Sequence, residues 1–138
     1  MICPFCNIDK ERTIIIKEGK NAFVCLSNPR LVEGHLLVVP KRHLENISEL
    51  NKEEREEMFG FVVDFQRKIL ENISEGCDVR WNYRPFKKQD DLKVDHFHIH
   101  LIPRSFKDEL YTKSQIFEKE IFRKLTQEEI DKIVNLLK

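Results

Sequence analysis

Nothing in the charge balance of this chain points to a polyanionic partner. Lys plus Arg and Asp plus Glu stand at 24 each, leaving no net charge at pH 7, so neither a stable nucleic-acid partner nor a membrane surface is implied. Long apolar runs are also missing. None approaches the roughly 20 residues needed to cross a bilayer, and the N-terminus lacks the basic region and apolar stretch of a secretory leader. A soluble, cytoplasmic protein is expected. There is no internal repeat and no low-complexity linker, and 138 residues suit one domain large enough to bury a core. Cysteine is scarce. Four residues, with no leader expected, argue against a disulfide framework and favour a metal or redox role for any close pair.

What the chain does have is a strand-rich α+β pattern. Residues 13–16 and 21–26 flank a turn signal at 17–20 and predict a hairpin. Residues 36–39, ended by Pro40, predict a third strand. Asn51 with Glu54 has capping-box spacing, and Met58, Phe59, Val62, Phe65, Ile69 and Ile73 then follow a helical period. Residues 77–83 and 94–102 predict two more strands, separated by a polar loop at 84–92. Thr126 with Glu129 opens a terminal helix whose stripe is Ile130, Ile133, Leu136 and Leu137.

The strongest chemical signal is the run His96-Phe97-His98-Ile99-His100-Leu101-Ile102. Read as a buried-edge strand, it puts the three imidazoles on one face and the apolar residues on the other. Three of the five histidines of the chain lie in this run, which makes a chemical site the natural reading. Along an extended strand His96 and His100 stand about 13 Å apart, so one metal ion cannot hold all three rings. At least one ring is left for other work, and a ligated imidazole has no lone pair with which to attack.

The second signal is Cys3-Pro4-Phe5-Cys6. Two cysteines at this spacing can both reach a tetrahedral zinc. A redox pair and incidental thiols are the alternatives; the redox reading needs a preceding strand, for which this position leaves no room. Cys25 and Cys77 read as small buried residues. His35 and His43 bracket the third predicted strand and are expected to serve different sites.

These blocks resemble the histidine triad (HIT) superfamily of nucleotidyl hydrolases and transferases. The likeness rests on His96 to Ile102, on residues 34–43 upstream, on the Cys3/Cys6 pair of the zinc-containing branch and on Trp81-Asn82. It covers roughly residues 1–104. The resemblance implies an α+β fold with an antiparallel sheet of about five strands, one long helix and a C-terminal helix. It implies a core at 1–104 with an N-terminal zinc knuckle, and an extension at 105–138 within the same domain. Structural zinc would be held by Cys3, Cys6, His43 and His96. His98 would be the nucleophile at the α-phosphorus of a nucleotide, with His100 and His35 around the phosphate. The substrate implied is a dinucleoside polyphosphate of the diadenosine tetraphosphate type. The alternatives are a purine-nucleoside phosphoramidase, a nucleotidyltransferase or phosphorylase, and a non-catalytic zinc-stabilised nucleotide-binding module. A homodimer is expected by resemblance only.

Four further residues are candidates for substrate binding. Asn28 reads as a ribose or base contact or as a turn initiator before Pro29. Asn82 reads as a substrate contact or an edge cap, whereas Trp81 is expected in the core. The family's polar run before the triad is replaced here by residues 91–95, in a loop about three residues longer than is usual. Lys93 could stand in for the missing hydroxyl if the backbone bulges; Gln89 could act from the loop. Arg84, Lys87, Lys88 and Lys93 would suit a polyphosphate chain.

Overall fold

The computed structural model describes residues 2–138. It separates two compact units, one ending at Phe106 and the other spanning Lys107–Lys138. The first unit carries an antiparallel sheet of five strands: β1 (Ile15–Glu18), β2 (Ala22–Leu26), β3 (Leu36–Pro40), β4 (Gly76–Arg80) and β5 (Ile99–Arg104), in the order β1-β2-β3-β5-β4. The helix α1 (Lys52–Asn72) lies between β3 and β4 in sequence.

Local chemistry starts α1 where expected. The Asn51 side chain accepts from the Glu54 amide at 2.8 Å, and Glu54 accepts from the Asn51 amide at 2.9 Å, satisfying two otherwise orphaned donors. Gly60 is tolerated inside the helix, and no packing requires it, because a Cβ there would meet open space. The helix buries Met58, Val62, Phe65 and Ile69 against Ala22, Val24, Leu36, Val38, Ile99 and Leu101. Each such side chain contributes about 1.5–3 kcal/mol of burial.

Two members of the predicted stripe are corrected. Phe59 and Ile73 are 62% and 52% exposed; Phe59 falls with Val63 and Leu70 on a second, outward stripe, and Ile73 lies past the helix as its C-cap. Periodicity alone does not say which of two apolar stripes meets the sheet. The opposite sheet face buries Phe23, Cys25, Leu37 and Val39 beneath Phe5 and Ile8.

The strand limits differ from expectation for identifiable reasons. β1 runs two residues later because the turn tightens onto Gly19–Asn21. There the Glu57 carboxylate accepts the amides of Lys20 and Asn21 at 2.9 and 2.6 Å. β4 ends at Arg80, so Trp81 leaves the sheet and is 41% exposed rather than in the core. β5 is an interior strand, not an edge, and it begins only at Ile99. His96 and His98 precede it, since the Phe97 amide is taken by the Leu44 carbonyl at 2.6 Å.

The second unit contains a π-helical turn (Tyr111–Gln115), a 3-10 turn (Glu118–Glu120) and α2 (Gln127–Leu137). Thr126 and Glu129 form the expected capping box. Ile133, Leu136 and Leu137 of the predicted stripe are exposed, at 47%, 69% and 80%.

Candidate functional site

The short turn from Cys3 to Asn7, the end of β3 and the approach to β5 bring Cys3, Cys6, His43 and His96 together, with their ligand atoms all within 4.8 Å. Cys3 Sγ lies 3.3 Å from His96 Nδ1, Cys6 Sγ 3.3 Å from His43 Nδ1 and 3.6 Å from His96 Nδ1, and the two Nδ1 atoms are 3.2 Å apart. A tetrahedral ion with metal–sulfur bonds of 2.3 Å and metal–nitrogen bonds of 2.0–2.1 Å needs ligand atoms roughly 3.3–3.8 Å apart. The donors fit. Their orientation fits as well: His96 Nε2–H donates to the Pro40 carbonyl at 2.8 Å, which leaves the Nδ1 lone pair facing the sulfurs. Next to His43, Arg42 is clamped by the buried Glu54 carboxylate at 2.8 and 3.1 Å, tying the metal loop to the start of α1. Two thiolates and two imidazoles form a closed set suited to structural zinc. Cys25 and Cys77 lie outside it, and burial pushes the Cys25 thiol up to about 12.

Of the other three histidines, His35 and His100 form a chain of hydrogen bonds whose direction follows from the partner at its end, and His98 is fixed separately. The Leu31 amide can only donate, and it reaches His35 Nδ1 at 3.1 Å. The His35 proton is therefore on Nε2, which donates to His100 Nδ1 at 2.9 Å. Neutral His100 is left with its own Nε2–H as a donor. His98 is the reverse case. Its Nδ1 is 2.7 Å from the His96 carbonyl, which can only accept, so the proton stays on Nδ1 and the free lone pair is on Nε2. The His98 and His100 rings are 4.8 Å apart. His98 supplies a nucleophilic nitrogen, His100 a donor.

Burial keeps this group uncharged. It lowers His98 despite the opposing carbonyl bond. It also takes His35 down to about 4 and His100 to about 3, with neighbouring charge from Arg80 and from the other imidazoles adding to the effect. Arg80 sits opposite His100 in the β4–β5 register and drew no notice in the sequence, where it is one more basic residue in a strand. Unfolded histidine titrates near 6.5. As pH falls from 6.5 towards 4, the unfolded chain binds protons that folded His35 and His100 refuse, so stability falls with pH across that window. Replacing both with glutamine removes up to two protons from the difference, and the curve of unfolding free energy between pH 6 and 4.5 should flatten. Urea titrations at several pH values check this; equal slopes for variant and wild type count against neutral burial of the pair.

Two cavities meet at His98 and His100. One, of about 400 Å³, is lined by Asn82, Arg84, Lys87 and Lys93. The other, of about 270 Å³, is lined by Phe5, Leu26, Asn28, Leu31 and Leu37, with His35 at its wall. Leu92 and Val94 border both. The first sets Arg84, Lys87 and Lys93 against Glu45 and Asp95 and is cationic on balance; the second is largely apolar.

The candidate binding residues divide between contact and support. Asn82 and Lys93 line the cationic cavity and Asn28 the apolar one, where its amide also donates to the Arg12 carbonyl at 3.2 Å. The Lys93 ammonium pairs with Asp95 at 2.8 Å and donates to the Lys87 carbonyl, so much of its charge is spent on the loop itself. Gln89 lines neither cavity and instead accepts the Asp95 amide at 3.0 Å. Phe5 was missed entirely: an aromatic between two cysteines gives no sign, in sequence, of the imidazoles it will face.

A profile of the HIT domain matches residues 9–107. The chain belongs to the HIT family. Among its relatives is the Protein hit of Bacillus subtilis, 30% identical over 74% of this chain and 70% of that protein. An AP-4-A phosphorylase of Mycobacterium tuberculosis is 25% identical over 73% of this chain, which spans about half (53%) of that protein. Among solved structures, a HIT family protein from Bacillus anthracis superposes with a TM-score of 0.69 at 24% identity, covering 98% of this chain and 94% of that one. A zinc-bound histidine triad family protein from Mycobacterium smegmatis gives 0.65 at 27% identity, covering 78% of each chain. This HIT protein shares the five-stranded α+β fold of these neighbours.

Proposed function

We infer that this HIT protein processes nucleotides, cleaving dinucleoside polyphosphates at the α-phosphorus through a covalent nucleotidyl-histidine on His98. The observation that carries the reading is the opposed tautomers of His98 and His100 at the junction of the two cavities. The nucleoside occupies the apolar cavity and the rest of the phosphate chain the cationic one. His98 Nε2 forms a bond to the α-phosphorus as the bond to the bridging oxygen breaks, and the departing phosphate chain takes that electron pair. His98 keeps its Nδ1 proton on the His96 carbonyl, so the phosphorylated ring is cationic and a good leaving group. Water then attacks phosphorus, the ring leaves as neutral imidazole, and the water proton passes to solvent. His100 Nε2–H donates to a nonbridging oxygen on which charge builds.

What this arrangement does well supports that substrate class. A neutral His100–His35 pair is a hydrogen-bond donor but a weak acid. A polyphosphate departs as a stable anion without protonation, whereas an amine does not. Structural zinc in the Cys3, Cys6, His43 and His96 set, supported by its donors and by the zinc-bound neighbour, holds the His96 end of this geometry without taking part in bond changes. The AP-4-A phosphorylase relative favours a second reading in which inorganic phosphate replaces water as acceptor. A homodimer and a cytoplasmic location belong to the proposal, and sedimentation and cell fractionation read them directly.

The test is a turnover screen of diadenosine tetraphosphate and adenosine phosphoramidate, with and without inorganic phosphate, reading the products. Faster release from the tetraphosphate is expected; ADP in place of AMP when phosphate is present selects the second acceptor. Replacing Arg84 and Lys87 by alanine together should raise KM for the tetraphosphate about tenfold, the loss of roughly 1.4 kcal/mol of charge-assisted contact. KM for the phosphoramidate should change less than about twofold. Equal changes for the two substrates would remove the phosphate chain from the cationic cavity.

A further inference from the structure

The turn that carries the two cysteines also reaches the reacting histidine. Amides of Cys6 and Asn7 both bond to the Cys3 carbonyl, at 3.2 and 3.0 Å, closing the chain tightly around Pro4 and Phe5. Both of these residues line the apolar cavity that His98 and His100 also border. The Phe5 ring stands edge-on to two imidazoles at once. Its centroid is 5.6 Å from that of the metal ligand His96, at 79°, and 5.3 Å from that of His98, at 64°. Phe5 also packs on the apolar cluster of Phe23, Cys25, Leu37 and Val39. From the other direction, the carbonyl of His96 fixes the Nδ1–H of His98. The nucleophile is held on one side by a ring hung between two metal ligands, and on the other by the backbone of a third.

We propose that Phe5 is a positioning residue that couples the metal centre to the nucleotide cavity, so that metal and nucleotide bind with positive cooperativity. This rests on the reading that a nucleoside fills the apolar cavity. With the metal in place, Cys3 and Cys6 are pinned and the Phe5 wall is already set. Without it, the nucleotide must order that wall itself, and its apparent affinity drops by the fraction of molecules that have it formed. Linkage makes the effect reciprocal: whatever the metal does for the nucleotide, the nucleotide does for the metal.

The test measures zinc affinity by chelator competition, with and without saturating AMP, on wild type, Phe5→Ala and Phe5→Leu. In the wild type AMP should tighten zinc about tenfold. In Phe5→Ala the tightening should fall below about twofold, while zinc affinity without AMP stays within about threefold because every ligand remains. Phe5→Leu keeps apolar bulk but loses the ring edge, and should leave a tightening of about threefold; it serves as the readout if the alanine variant does not fold. Wild type that binds AMP with no change in zinc affinity overturns the coupling alone, as does full tightening retained in Phe5→Ala or Phe5→Leu. AMP that fails to bind the zinc-loaded wild type in calorimetry overturns the nucleotide reading, and the coupling with it.

Discussion

Replacing His98 with alanine should yield a protein that still binds AMP but turns over diadenosine tetraphosphate about 10,000-fold more slowly or worse, with no acid-labile nucleotidyl adduct. The size of the loss follows from the protons. His100 holds its proton on Nε2, and its Nδ1 accepts from His35. His35 Nδ1 is occupied by the Leu31 amide, and the lone pairs of His96 and His43 face the metal centre. Among the described imidazoles, His98 Nε2 is the nitrogen left able to attack at the junction of the cavities. Its neighbours compensate poorly, because moving a proton along the His35–His100 pair breaks the bond that orients it. Acid quench of wild type during turnover of a slow substrate should trap the adduct, and the same quench of His98→Ala should not. An adduct in the variant places the covalent chemistry on another residue. Wild type that binds nucleotide and is never labelled is a binding module rather than an enzyme.

The second large effect concerns the metal. Cys3→Ser should lose tightly held zinc, taking the metal content from one ion per chain towards none, and Tm should fall by roughly 10 °C or more. A metal present at a thousand times its dissociation constant stabilises the folded state by about 4 kcal/mol, and for a chain of this size each kcal/mol moves Tm by roughly 2–6 °C. The cost is concentrated because the four ligands come from three distant segments of the chain. Without the ion, the two Nδ1 atoms, 3.2 Å apart, and the two thiols are left with one another as weak partners. Chelation of the wild type should reproduce the fall, and Cys77→Ser, which lies outside the cluster, should leave metal content unchanged. Elemental analysis and thermal melts decide it. Full metal content and an unmoved Tm in Cys3→Ser would take that thiol out of the site.

What could be read along the chain was what local chemistry controls. Asn51 with Glu54 and Thr126 with Glu129 announce their helices because a capping box is closed within four residues. Alternation places Ile99 and Leu101 in the core because they belong to a paired strand. The same alternation holds ahead of the strand, where Phe97 joins that core and His96 and His98 face Phe5, although the backbone there is outside the ladder and the Phe97 amide goes to the Leu44 carbonyl. Apolar character was a poor guide to burial wherever two faces competed. Phe59 obeys the helical period yet faces outward, Ile73 lies just past the end of its helix, and Trp81 just past the end of its strand. Gln89 is polar and sits in the right loop, but its carbonyl oxygen is engaged with the Asp95 amide, a contact that depends on how the loop folds back.

The sequence by itself determined the residue types of the site: two cysteines at ligand spacing, histidines enough for a metal and for chemistry, and the pattern that marks the HIT family. Only the tertiary structure decided what each ring does. The His96 lone pair faces the sulfurs because the Pro40 carbonyl takes its other nitrogen. His98 has its free lone pair on Nε2 because the His96 carbonyl takes Nδ1, and His100 presents an Nε2–H because a hydrogen-bond chain starts at the Leu31 amide. Each of those deciding partners is a backbone group. Every residue carries one, so no side-chain pattern can name which will arrive, and only the path of the folded chain selects it.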